Sequence, residues 1–70
     1  MFRLQSSNGT FWRDATVVVS TIEIPRSVQA LAGYAFETCL FADGNSEVIE
    51  TYDNMQAAIE GHGKYRRALL

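Results

Sequence analysis

The segment Ala15–Pro25, reading ATVVVSTIEIP, constrains the fold more than any other part of the chain. Branching at the β-carbon crowds the preceding turn of a helix but suits a pleated surface, so the density of Val, Ile and Thr from Thr16 to Ile24 predicts a strand. Pro25 cannot donate to a sheet ladder and ends it. Alternation puts Val18, Ser20, Ile22 and Ile24 on one face and Val17, Val19, Thr21 and Glu23 on the other. Both faces are partly apolar, which predicts a strand that is central or covered by a partner.

The flanking segments supply neighbours for that strand. The opening stretch, MFRLQSSNGTFWRD, alternates weakly and contains Asn8-Gly9, which suits a type I′ hairpin turn and makes residues 1–15 a candidate hairpin. Residues 26–32, RSVQALA, read as one or two helical turns closed by Gly33, or as a plain connector. Residues 34–53 read as a second hairpin around Asp43, Gly44, Asn45 and Ser46. With all four in the loop, Leu40 faces Ile49, Phe41 faces Val48, Thr38 faces Thr51 and Glu37 faces Tyr52. A two-residue loop would set Glu37 against Glu50, a repulsive pair, so the longer loop is expected.

The last segment is helical. Asp53 followed by Gln56 resembles a capping box, and Met55, Ala58, Ile59, His62 and Leu69 cluster on one face, with Tyr65 at its edge. Glu60 and Lys64 are spaced for an i,i+4 ion pair. Gly61 and Gly63 each cost about 1 kcal/mol relative to Ala inside a helix, which implies close approach of another backbone. The expected fold is α+β: a small antiparallel sheet of three to five strands with one C-terminal amphipathic helix packed on one face, residues 1–70 forming a single domain.

Seventy residues, 47% of them hydrophobic and 20% charged, describe a folded chain with a small core. Such chains gain stability from disulfides, metals or partners. Cys39 is the only cysteine and His62 the only histidine, so neither an internal disulfide nor a three- or four-ligand zinc site is expected, and no metal or cofactor is predicted. A protein partner is the remaining staple. No segment reads as a signal peptide or approaches the ~20 apolar residues of a membrane span. The expected location is the cytoplasm of a host cell or a virion. The net charge of −2 gives no general attraction to nucleic acid or anionic membranes, making nucleic acid an unlikely partner.

Several residues invite a chemical reading. His62, between Gly61 and Gly63, has the position of a catalytic base, but helical phase turns it inward, and a packed histidine bonded to a sheet hydroxyl such as Thr38 or Thr51 is the plainer expectation. Glu37, Glu50 and Cys39 lack spacing that brings them to it. A catalytic role for the Glu37 and Glu50 carboxylates needs a cleft that so short a chain can hardly enclose. Partner contacts are expected at Phe11 and Trp12, at Val17 and Val19, at Glu47 and Glu50 in the acidic hairpin, and at Lys64, Arg66 and Arg67 in the basic tail. His62, Gly61, Gly63, Glu37 and Thr38 are expected to be structural.

The residues Phe36, Glu37, Thr38 and Phe41, followed by Tyr52, Ala58, Gly61 and His62, form an aromatic-Glu-Thr-x-x-Phe strand and a Tyr…Ala-x-x-Gly-His helix. That pattern resembles small proteins of tailed bacteriophages and prophages, over residues 36–62 only. The resemblance implies a phage origin, a strand-hairpin-helix unit, and His62 packed near Glu37 or Thr38; it implies no activity. The function expected is protein–protein interaction, as a virion structural or assembly component that self-associates or binds other phage proteins. The alternatives are a phage-encoded inhibitor that binds a host protein through the acidic hairpin and, further off, a nucleic-acid-binding module or a small enzyme.

Overall fold

The computed structural model describes residues 2–10 and 13–70, with the side chains of 8–10 and 13–16 left aside. The expected contacts at Phe11 and Trp12 lie outside the described residues. Along the chain run β1 (Arg3–Thr10), β2 (Arg13–Glu23), α1 (Arg26–Ala32), β3 (Phe36–Ala42), β4 (Asn45–Tyr52) and α2 (Met55–Leu69). The four strands form an antiparallel meander in the order β1-β2-β3-β4, and α2 crosses one face. The α+β architecture read from the sequence is the one observed.

The β-branched run is the second strand, paired on both edges as its two apolar faces suggested. It begins three residues earlier than expected and ends at Glu23. Asn8-Gly9 is not the turn: Asn8 pairs with Val17 inside β1, and Thr10 pairs with Arg13. The demand of β2 for a partner along its length outweighs the local preference of Asn-Gly for positive φ. The same dipeptide leaves a trace, a register irregularity between Asn8 and Thr10.

Residues 26–32 are helical, and Gly33 closes α1 in the left-handed conformation (φ 83°), its amide donating to the Gln29 carbonyl. No residue of α1 is buried.

The β3–β4 connection departs from expectation. Ala42 pairs with Asn45, so the loop has two residues, and Asp43 (φ 54°) and Gly44 (φ 78°) both take positive φ, as a type I′ turn requires. The feared Glu37–Glu50 clash is avoided by another device. Cys39 pairs with Val48 but Thr38 pairs with Glu50, so Ile49 is an extra residue, a β-bulge. Beyond it Glu37 meets Thr51 and Phe36 meets Tyr52. Because side chains alternate with period two, the extra residue inverts the second half of β4. Tyr52, which either unbulged register would leave on the far side from α2, is carried into the core.

That core is thin. Val19, Ile24, Phe36, Tyr52 and Ala58 are its buried apolar residues, and Phe2 meets Phe36 edge-to-face at 5.5 Å. Helix α2 is capped by Asn54, not Asp53: the Asn54 Oδ1 accepts from the Ala57 amide at 2.8 Å. Gln56 instead donates to Glu60. The face of α2 turned to the sheet is also shifted from the expected one. Ala58, Gly61 and His62 are buried, while Met55, Ile59 and Leu69 are each 40% exposed or more. Small residues line the contact because Tyr52 already fills the space. A β-carbon built on Gly61 would overlap the Tyr52 ring and hydroxyl. The close approach anticipated at Gly61 is therefore with a side chain, not a backbone; Gly63 faces only the flexible end of Arg67.

Candidate functional site

The sheet has two unlike faces. The helix-side face carries Leu4 and Ser6 from β1, Val17, Val19 and Thr21 from β2, Phe36, Thr38 and Leu40 from β3, and Glu50 and Tyr52 from β4. Through it runs a chain of hydrogen bonds. Ser6 Oγ lies 3.0 Å from His62 Nε2, His62 Nδ1 lies 2.8 Å from Thr21 Oγ1, Thr21 Oγ1 lies 2.6 Å from Thr38 Oγ1, and Thr38 Oγ1 lies 2.8 Å from the Tyr52 hydroxyl. Each strand and the helix contribute one member.

Thr21 and Thr38 are wholly buried and His62 nearly so. Their polar atoms are satisfied by one another, and among the described residues no buried side-chain nitrogen or oxygen lacks a partner. Each hydroxyl can both donate and accept, so the chain closes with either neutral tautomer of His62. The sequence turned His62 inward correctly and assigned it a sheet hydroxyl. Its partners, however, are Ser6 and Thr21; Thr38 is one link further on, Thr51 is exposed, and Glu37 points from the opposite face.

The Ser6–His62 distance would suit a nucleophile and its base, but the surroundings oppose it. A neutral threonine, not a carboxylate, occupies Nδ1, so nothing stabilises an imidazolium. Burial holds the imidazole below the ordinary histidine value, and the charge of Arg66 adds to the effect. The chain of hydroxyls therefore joins helix to sheet. Among the described residues no three His, Cys, Asp or Glu side chains gather into a metal-binding cluster.

The ionic residues singled out in the sequence are largely engaged within the chain. Lys64 reaches Glu50 at 2.9 Å, across from helix to sheet, rather than Glu60. The Glu50 carboxyl is consequently lowered and the Lys64 ammonium raised, each chiefly by that hydrogen bond. Glu47 is exposed, as are Arg66 and Arg67, which with Ser6, Ser7 and Leu70 line a cleft of about 430 Å³. Val19 is buried beneath α2 and Val17 half-buried on that face, so the pair expected to meet a partner faces inward.

The opposite face has no covering element among the described residues. Three rows cross it: Arg3, Ile22, Glu37 and Thr51; Gln5, Ser20, Cys39 and Val48; Ser7, Val18, Phe41 and Ser46. Its centre is apolar. Phe41 is 43% exposed and Val48 48%, whereas Val18, Ile22 and Cys39 are half-buried by their neighbours. Glu37 is held in place by the Tyr34 hydroxyl, which donates at 2.8 Å, with the Cys39 thiol at 3.7 Å. The Tyr34 phenol is pushed up chiefly by that hydrogen bond, and the Cys39 thiol chiefly by burial, which keeps the sulfur a poor nucleophile. Sequence reasoning chose the wrong residues of β2 for this surface, although alternation separates Val18 and Ile22 from Val17 and Val19. What alternation does not say is which set the helix covers.

Among the described residues no helix is long and apolar enough to cross a membrane. Comparison with protein families, with curated proteins and with solved structures finds no match.

Proposed function

We propose that this chain is a small phage-type interaction protein, a virion structural or assembly component that works by docking its uncovered sheet face onto other protein chains. One observation carries the reading: Val18, Ile22, Phe41 and Val48 lie as apolar side chains on a face that α2 leaves bare, while among the described residues only five apolar residues are buried. The phage assignment rests on the resemblance of residues 36–62 to tailed-phage proteins. Mass spectrometry of purified particles of the phage that encodes the chain should detect it, and Phe41→Asp in the phage gene should remove it from those particles. Particles free of the wild-type chain would overturn the proposal.

The inhibitor reading has less to stand on. Of the acidic hairpin, Glu50 is bound to Lys64 and Glu37 belongs to the open face beside Tyr34, leaving Asp43, Glu47 and Asp53 as its exposed acids. The basic tail is likewise reduced, with Lys64 neutralised, to Arg66 and Arg67.

A further inference from the structure

Resting on that reading, we infer that the first partner of the open face is the same face of a second copy, joined about a two-fold axis that runs along β2. The argument starts from the row Arg3–Ile22–Glu37, in which each residue lies one strand from the next. Arg3 and Glu37 are the only charged residues in the three rows, and they flank β2 on opposite sides. Rotation by 180° about an axis parallel to β2 keeps each row in place but exchanges left for right. Arg3 of one copy then stands over Glu37 of the other, and the second pair follows by symmetry.

The rest of the face tolerates the same operation. Ile22 meets Ile22, Val18 meets Val18 and Ser20 meets Ser20 along the axis, while Gln5 lies over Cys39 and Ser7 over Phe41. The interface is isologous, as a closed dimer requires. Face-to-face sheets pack about 10 Å apart with their strands rotated about 30°, a twist that shifts the two charge pairs, both in the Arg3–Ile22–Glu37 row, by only about 4 Å, within reach of Arg and Glu side chains. The Glu37 carboxylate is already oriented by Tyr34 and Cys39, which lowers the ordering cost of meeting a guanidinium. The overlap is three strands by three rows, about 14 Å by about 20 Å, with β4 of each copy overhanging the partner's β1. Side-chain relief brings the pair to about 700 Å² in total, the size of a weak and transient contact, so association at high micromolar concentration is expected.

A charge-swap series tests the pairing by sedimentation of the full chain. The wild type should dimerise reversibly. Arg3→Glu places two carboxylates face to face and Glu37→Arg two guanidiniums, and each variant alone should associate at least about tenfold more weakly. Mixed together, the two variants should form a heterodimer, because the two carboxylates on the face of one chain then meet the two guanidiniums on the face of the other. Circular dichroism melts confirm that each variant is folded, and the double variant Arg3→Glu/Glu37→Arg should dimerise by itself, which keeps the test decisive if one single variant is unstable. A wild type that stays monomeric, or single variants that dimerise unchanged, or a mixture that recovers nothing, overturns the inference. A monomeric chain still found in phage particles would remove the self-pairing while leaving the interaction role intact.

Discussion

Tyr52 and Gly61 share one volume: the phenol ring at the end of β4 fills the position where a side chain on residue 61 would begin. The pairing explains why a helix tolerates a residue that costs about 1 kcal/mol there. Gly61→Ala should therefore destabilise the fold by about 1–3 kcal/mol despite its better helix propensity, because the Tyr52 ring must move. Gly63→Ala, which meets only the end of Arg67, should stabilise by up to about 1 kcal/mol. Urea unfolding of the two variants distinguishes them by sign.

The hydroxyl chain from Ser6 to Tyr52 should behave as a unit. Thr38→Val keeps shape but deprives Thr21 and Tyr52 of a partner, a loss of about 1–3 kcal/mol. His62→Ala opens a cavity and unpairs Ser6 and Thr21, a loss of about 2–4 kcal/mol. The double variant should lose less than the sum, since its members are coupled. An unchanged His62→Ala midpoint would refute a structural role for the histidine.

Stability should fall on mild acidification. His62 has a folded-state value below that of the unfolded chain, mainly from burial. As pH drops, the unfolded chain takes up the proton first, so the contribution is complete above about pH 6.5 and is lost progressively below it, down to the lowered folded value. Because His62 is the only histidine, urea midpoints measured across this window should flatten in His62→Gln. A wild-type midpoint independent of pH there would contradict the assignment.

The β3–β4 turn offers a local check. Gly44 holds φ 78° with open space around it, so Gly44→Ala should cost about 1 kcal/mol from backbone strain alone. Asp43→Asn, at φ 54°, should be neutral or slightly stabilising, because Asn-Gly is a preferred type I′ pair. Thermal midpoints of both variants measure the difference.

How much of this was readable beforehand follows the physics of each element. The strand around Val17–Ile22 and the helix from Met55 announce themselves by composition and phase, and the inward turn of His62 follows from its position on that helix. The partners of His62 do not: Ser6 lies 56 positions away, a distance that only the sheet topology closes. The hydrophobic stripe of α2 misled because Met55 and Ile59 are larger than the gap left over Tyr52, so small residues take the contact. The register of β4 misled for a single-residue reason. Counting loop residues assumes unbroken alternation, and Ile49 breaks it. Once alternation is broken, the face assigned to every later residue of the strand is reversed, Tyr52 included.

The bulge at Ile49 has one more consequence, for growth at the borders of the sheet. Evenly spaced amides and carbonyls along an outer strand are a template on which further chains can add without limit, giving fibres. Both outer strands here are interrupted, β4 at Ile49 and β1 between Asn8 and Thr10. An incoming strand that matches one half of either border falls out of step with the other half. Sideways polymerisation is thereby checked at both borders, so the proposed association through the open face would close at a fixed size.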